Sequence, residues 1–410
     1  MRRTIGCGLA AITALALAAP ASAAPPGDAD GYIAYDTASG VKLVRPDGTD
    51  KRGLGAGTQR PGGFSPDGRR LVLLAKDAQG QWKVALHDVV TGARTLMQVP
   101  VSATPHTGFA SLEDLRWAVD GEAVLGIGGE IGVDPETGQV STRPVLWRWT
   151  MLTAGAAPAV VKAGPWGGVI AQAFDVGTAG GLAFVTQSAV DTLLSYAPTV
   201  DAVFGGVPRL ATVSGVSFAP EAAWLLTRQA GDVLRMAPPA GPPVGVVAGV
   251  SGDPETTPTS GGVVRAIRSL GGQPTQGLFR FNALAGPDQP LARIPNTEDA
   301  SDGRHLAVQP VHATTTDVDP VLLRFVPPAL GLLRFTAKVT DRFGPVAGGS
   351  VVFRTRAGAP GCTATTNRAG VATCTATVGW LQALVSGGVT ARFAGDAAHL
   401  PSSDSAGLLG

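Results

Sequence analysis

The stretch FSPDGRRLVLL, Phe64 to Leu74, limits what this chain can fold into more than any other part of it. Asp67-Gly68 suits a tight reversal, because Gly accepts positive φ and an Asp side chain can bond its own backbone. The run Leu71 to Leu74 then reads as a strand buried on both faces. Variants of the unit recur: LRWAVDGEAVLGIG from Leu115, with Asp120-Gly121 at the turn, and QAFDVGTAGGLAFV from Gln172. VSFAPEAAWLLT from Val216, TPTSGGVVRAI from Thr257 and DASDGRHLAV from Asp299 follow, the last with Asp302-Gly303 at its turn. The starts fall roughly 40 to 60 residues apart, the spacing of four-strand propeller blades.

These SPDG-type repeats resemble the TolB-like, WD-repeat-like β-propeller family, in which each blade contributes such a turn and strand. The resemblance runs from about Gly31 to Val311 and implies a propeller of about six blades. It does not extend to an α/β domain ahead of the propeller, since the first blade is expected soon after Ala23. Composition agrees with an all-β chain. The 410 residues include 56 Gly and 32 Pro, only 15% are charged, and no long helical period is backed by caps. The net charge of +1 is spread along the chain without a Lys/Arg block, which argues against nucleic acid or an anionic bilayer as partner.

Residues 1–23 read as an export signal. Arg2 and Arg3 precede the apolar run Ile5 to Ala19, and Ala21-Ser22-Ala23 supplies the small residues of a cleavage site. The mature chain is therefore expected in the cell envelope or outside the cell, without a transmembrane segment. The propeller is expected over 31–311. GYIAY from Gly31 opens a first blade with no unit of its own, so Gly303 to Val308 is expected to close the ring from the far end. WKVALHD from Trp82 alternates as a third strand, and VLWRW, TLLSY, VLRM and GLFRF are its counterparts. The segment from Pro100 to Leu115 is longer than a turn requires and holds His106 and Phe109. It is the candidate binding loop, where an exposed aromatic could anchor a sugar ring or a protein side chain. The plain alternative is that Phe109 packs into its own blade.

VHATTTDVDP is polar and Pro-ended, and 312–320 reads as a linker. From 321 to 410 the texture changes to evenly spaced alternating strands, the pattern of a β-sandwich. TAKVTDRFGPVAGGSVVF, CTATTNRAGVATC and ARFAGDAAHLPSS in this portion resemble bacterial Ig-like repeats. Cys362 and Cys374 flank the turn Asn367 to Gly370. In an exported chain that leaves Cys7 behind with its signal, they are expected to form a disulfide across a hairpin.

A nucleophile elbow, G-x-S-x-G, is missing, which removes the serine hydrolases that carry a propeller. His87, His106, His305, His312 and His399 show no metal-binding spacing. His305 is expected as a core histidine, with His312 opening the linker and His399 in a terminal loop. No cofactor is expected. A weak case exists for Ca²⁺ at Asp134-Pro135-Glu136 and Asp253-Pro254-Glu255, whose plainer reading is a pair of blade-edge turns. Arg148, Arg235 and Arg280 occupy matching places in three third strands, as a cationic ring or as stems packed between blades. No catalytic, cofactor-binding or metal residue is assigned. The function expected is a non-enzymatic binding or scaffold protein, using a propeller face and an Ig-like spacer or adhesive module toward an envelope protein or polysaccharide. The alternative is a propeller enzyme, a metal-dependent hydrolase or lyase acting on a sugar or lactone.

Overall fold

The computed structural model describes residues 29–55, 57–100, 109–167, 170–177, 181–187, 191–205, 208–219, 224–237, 241–258, 261–270, 273–301, 305–326, 330–356, 360–379, 388–396 and 398–409. The expected signal segment, His106 and Asp302-Gly303 lie outside them.

Six four-stranded antiparallel sheets are the blades of a propeller. Their first strands are Leu306–Val311 in blade 1, Thr58–Phe64 in blade 2, Phe109–Trp117 in blade 3, Ile170–Val176 in blade 4, Val213–Phe218 in blade 5 and Glu255–Thr256 in blade 6. Each first strand touches that of the next blade, and the sixth touches the first, so these inner strands form a closed ring around a channel. Blade 1 is closed by the far end of the chain. Leu306–Val311 pairs with Ala29–Thr37, with Ile33 opposite Val308 and Tyr35 opposite Leu306. This removes the sheet edge that an open ring would expose.

The turn Asp67-Gly68 joins the first and second strands of blade 2, and Gly68 takes φ +70°. The Asp67 carboxylate accepts from Ser65 Oγ and the Arg69 N–H, which locks the reversal. In blade 3 Asp120 and Gly121, at φ +69°, hold the same place. The Asp299 copy is different. The strand after it is the inner strand of blade 1, so this copy falls between two blades instead of between two strands of one blade.

Apolar side chains fill the wedges between blades. One cluster joins Val84 and Met97 of blade 2 to Leu115, Trp147 and Trp149 of blade 3. Polar side chains latch the inner strands, because neighbouring blades share no ladder. Gln309 Nε2 donates to the Gly68 carbonyl (2.7 Å), and Trp117 Nε1 to that of Gly63 (3.0 Å). The Asp114 carboxylate accepts from the Phe174 N–H (3.2 Å), and Asp175 from the Phe218 N–H (2.6 Å). Ser217 Oγ takes the Thr256 N–H at 3.0 Å. A buried amide left unpaired would cost about 1–3 kcal/mol, so each latch answers a need created by the radial geometry.

The C-terminal portion is two sheets packed over one core, with Phe335 and Phe353 stacked at 5.6 Å between them. Two expectations need correction here. Within the supposed linker, Thr315–Val318 is a strand paired with Leu330–Asp341, because Thr316 and Val318 alternate inward against the core. Cys362 and Cys374 do form a disulfide, but their strands are not a hairpin. Pro360–Thr365 pairs with Ser350–Thr355 in one sheet and Val371–Gly379 with Leu330–Asp341 in the other, so the bridge ties sheet to sheet.

Candidate functional site

The C-terminal ends of all six inner strands converge on one end of the channel. They surround a cavity of about 440 Å³, with Phe64, Trp117, Val176, Phe218, Thr256 and Pro310 among its walls. The sandwich supplies the roof. Its turn Asp341 to Gly344 places Arg342 and Phe343 in the cavity wall. The Asp341 carboxylate holds that turn by accepting the N–H groups of Phe343 (2.7 Å) and Gly344 (2.9 Å).

His312 fixes the roof to the disc and His399 holds the roof's own turn, and neither sits in a loose segment. His312 is fully buried, and its Nε2 donates to the Pro66 carbonyl at 2.6 Å, since a carbonyl can only accept. Its ring meets Phe343 edge-on at 5.0 Å, and its backbone pairs with Ala398 and Leu400. His399 lies between Asp396 (2.8 Å) and Asp341 (3.3 Å). Burial works against its charge, but the hydrogen bonds and charges of those two carboxylates outweigh it and raise the imidazole pKa to about 9. Gly68 packs against the Pro310 carbonyl so closely that a Cβ there would lie 2.2 Å from the oxygen.

The channel floor carries a charge cluster. Arg116 contacts Glu255 (3.2 Å), Asp114 (3.5 Å) and Asp175 (3.9 Å), and its Nε donates to the Phe174 carbonyl (3.1 Å). Three carboxylates against one guanidinium leave two negative charges in excess if all ionise. Burial pushes Glu255 up to about 8, with Arg116 pulling back and Asp175 and Asp114 pushing further. Asp114 and Asp175 are raised by burial and lowered in part by Arg116, while the backbone N–H groups they accept favour their charged forms. All three carboxylates are thus raised by burial, and Glu255, raised to about 8, lines the cavity.

Sequence reasoning missed these residues, although one signal was present. Asp114 and Arg116 stand two apart in the strand Phe109–Trp117 and so share one face, the face toward the channel. The reading of Asp253-Pro254-Glu255 as a blade-edge turn is corrected. Asp253 is buried against Arg228 (3.0 Å) and Ser214 (2.7 Å), and Glu255 opens the inner strand of blade 6. Asp134 does form a turn, capping the Glu136 N–H and the Thr137 hydroxyl at 2.9 Å each. Phe109 is not in a loop: its backbone opens the inner strand of blade 3 opposite Ile131, in a ladder that continues back from Trp117 past a β-bulge between Leu112 and Asp114. It lies at the end of that strand away from the roof. Arg235 bonds the Ala283 carbonyl of the next blade (2.9 Å) and so braces two blades, whereas Arg148 reaches Asp120 (3.7 Å) within its own blade. His305 is partly buried just ahead of the closing strand, and burial followed by the charge of Arg60 lowers its pKa to about 4.

Among the described residues no group of three or more His, Cys, Asp and Glu is arranged to hold a metal. Among the described residues no helix is long and apolar enough to cross a membrane. No protein-family model and no curated protein matches the chain. Solved structures that do match include TolB from Acinetobacter baumannii, at 13% identity and a TM-score of 0.44, over 70% of this chain and 68% of that one. The β-propeller domain of Cps50 (Swd1) from Myceliophteria thermophila is 12% identical with a TM-score of 0.35, over 63% and 84%. The acylaminoacyl peptidase of Pyrococcus horikoshii is 9% identical with a TM-score of 0.34, over 75% of this chain and 54% of that one. Likenesses at this level say nothing about function, and the six blades stand on the strand pairing itself.

Proposed function

We propose that this chain is an exported binding protein that works outside the cytoplasm, with the roofed mouth of its propeller channel as the binding site. The reading takes the first 23 residues as a cleaved signal and the C-terminal sandwich as an Ig-like module. The disulfide between Cys362 and Cys374 supports an oxidising location. The observation that carries the reading is the cavity: one site to which all six inner strands and a turn of the second unit contribute. At about 440 Å³ it falls within the range of roughly 300–1,000 Å³ typical of ligand pockets. Its walls are aromatic and prolyl, with Phe64, Trp117, Phe218 and Phe343 above a polar floor. Such walls suit an apolar side chain from a peptide segment of an envelope protein, with the floor left for the segment's backbone polar groups. In this reading the sandwich is a roof as well as a spacer.

The charged floor favours binding over catalysis. Arg116 already fills the centre of the carboxylates, where an enzyme of the metal-dependent kind would need its cation. One observation favours an acid–base enzyme instead. Glu255, raised to about 8, lines the cavity beside Asp175 and could give up a proton to a bound sugar or lactone. A photo-crosslinking residue at position 343, which is 51% exposed, separates these readings. Adducts from an envelope fraction that map to a peptide of one protein, competed by unlabelled chain, are expected. Adducts to glycan alone would move the partner class, and no competed adduct at all would remove the mouth as the site. Turnover of a sugar lactone that is lost in Glu255→Gln would establish the enzyme.

A further inference from the structure

The roofed cavity sorts its walls by chemistry, with rings above and carboxylates on the floor. Glu255 and Asp175 both line it, and both side chains reach it while largely buried, at 12% and 17% exposed. The two Glu255 oxygens share one donor, Arg116 Nη1, at 3.2 and 3.3 Å. Each Asp175 oxygen takes one backbone N–H, from Val176 (2.9 Å) and from Phe218 (2.6 Å). An ionised carboxylate has about four lone-pair sites, so both groups can accept further donors. Burial raises Glu255, Asp175 and Asp114 together, because the single guanidinium of Arg116 offsets only part of its cost. Arg342 is the other cation on the wall, but it is exposed on the roof turn, where solvent screens it. The floor is therefore short of positive charge at the depth where charge counts most.

We propose that the cavity takes a lysine side chain from a partner's peptide segment, its alkyl stem between the aromatic walls and its ammonium on Glu255 and Asp175. The inference rests on the mouth being the binding site and adds what the anchoring side chain ends in. A lysine stem packs on apolar surface, and its head has three donors and no acceptor, which matches a floor of acceptors. An acidic side chain would meet like charge there. Binding is linked to protons: Glu255 ionises beside the ammonium and releases its proton to solvent, so affinity rises with pH through about 8. The surrounding charges leave that window clear. Arg116 and Arg342 stay cationic throughout. In blade 6, Asp253 is paired with Arg228, and Arg265 donates to the Ser251 hydroxyl. His305, at the other end of the channel, is lowered to about 4, and His399, which holds the roof turn, is raised to about 9.

Calorimetric titration of the full chain with acetyl-alanyl-lysyl-alaninamide tests it, beside counterparts carrying norleucine or glutamate and beside pentylammonium. Saturable binding of the lysine peptide is expected, with a Kd of about 1 mM at about pH 8.5 and at least about 5-fold tighter than for the other three. Its affinity should drop at least about 5-fold from about pH 8.5 to 6.5. Glu255→Gln should abolish both the drop and the advantage over norleucine, because the amide cannot ionise. Phe343→Ala should weaken the lysine and norleucine peptides alike, which places them in the mouth. Norleucine bound as tightly as lysine, with both weakened in Phe343→Ala, would overturn the ammonium and leave the mouth as the site. No saturation by the lysine peptide up to about 10 mM would overturn the proposal, while crosslinks from position 343 would still decide the mouth. Lysine binding unchanged in Glu255→Gln, or pentylammonium or the glutamate peptide bound as tightly, would overturn it as well.

Discussion

Two charge clusters in this molecule solve the same problem with different cations. On the channel floor, Arg116 stands among Asp114, Asp175 and Glu255; in the sandwich, His399 stands between Asp341 and Asp396. A guanidinium keeps its proton at every accessible pH, so the channel cluster can relieve its excess negative charge only at its carboxylates, all three of which are raised, Glu255 to about 8. An imidazole can titrate, so in the sandwich the cation adjusts instead: His399 is raised to about 9 and both aspartates are lowered by their bonds to it. The lesson is that the titrating partner decides where pH sensitivity appears. In the propeller it lies on the cavity wall, and in the sandwich it lies in the support of the roof.

Removing the channel cation should have the largest effect. Arg116→Met leaves three carboxylates buried without a counter-charge, which typically costs about 3–5 kcal/mol. Urea unfolding of the propeller should show that loss, with some recovery in Arg116→Met/Glu255→Gln. A loss below about 1 kcal/mol would mean that the latches to the Phe174 and Phe218 N–H groups, and not the guanidinium, stabilise the cluster.

The sandwich cluster comes next. The folded pKa of His399, about 9, lies above its ordinary 6.5, so its contribution is complete below pH 6.5 and declines as pH rises through 9. The difference corresponds to about 3 kcal/mol. At the acid end the same pairs fail as Asp341 and Asp396, held below the usual carboxylate range, take up protons. Unfolding free energies at pH 6 and pH 10 should differ in the wild type and converge in His399→Gln. Equal slopes in the two proteins would show that the roof does not depend on this histidine.

Reduction of the disulfide should weaken the sandwich by about 2–3 kcal/mol, from the chain entropy of the short loop that it closes. Because the bridge joins the two sheets, calorimetry should show the sandwich transition moving down while the propeller transition holds. A common shift of both would mean that the roof couples them into one cooperative unit.

Much of this architecture could be read from residues, and the parts that could not share a cause. The turn at Asp67-Gly68 and the apolar run after it are local, so their strand reading and repeat spacing survive in three dimensions. Ring closure was legible too, because a first blade without its own unit needs a strand from elsewhere. Asp134-Pro135-Glu136 and Asp253-Pro254-Glu255 show the limit. The same three letters make an exposed turn in blade 3 and the start of a channel strand in blade 6. Nothing local distinguishes them; the difference is which strand of a blade each adjoins. The channel cluster likewise draws Asp114, Asp175 and Glu255 from three blades, at separations over which a sequence has no periodicity to show. His312 and His399 were misplaced for the same reason, since their partners belong to another unit or a distant turn.

The smallest effect is the sharpest test of the comparison. If the proton of the channel cluster sits on Glu255, then the folded propeller holds a proton that the unfolded chain, with an ordinary Glu value near 4.5, has already lost. Stability should then fall as pH rises from about 4.5 through 8. His305 opposes this at the acid end: it is lowered to about 4, so its burial costs most at low pH and nothing above its ordinary 6.5. The clean window is therefore pH 6.5 to 8, where Glu255 acts without His305 and the expected loss is at most about 2 kcal/mol. His399 also declines across that window, but in the sandwich. Glu255→Gln should flatten the propeller slope between pH 6.5 and 8 and leave the sandwich slope running to 9. It should do so with little change in stability at pH 6, because Gln resembles the protonated acid already present. A slope that persists in Glu255→Gln would place the shared proton on Asp114 or Asp175, and the cavity wall would then carry an ionised glutamate beside Arg116.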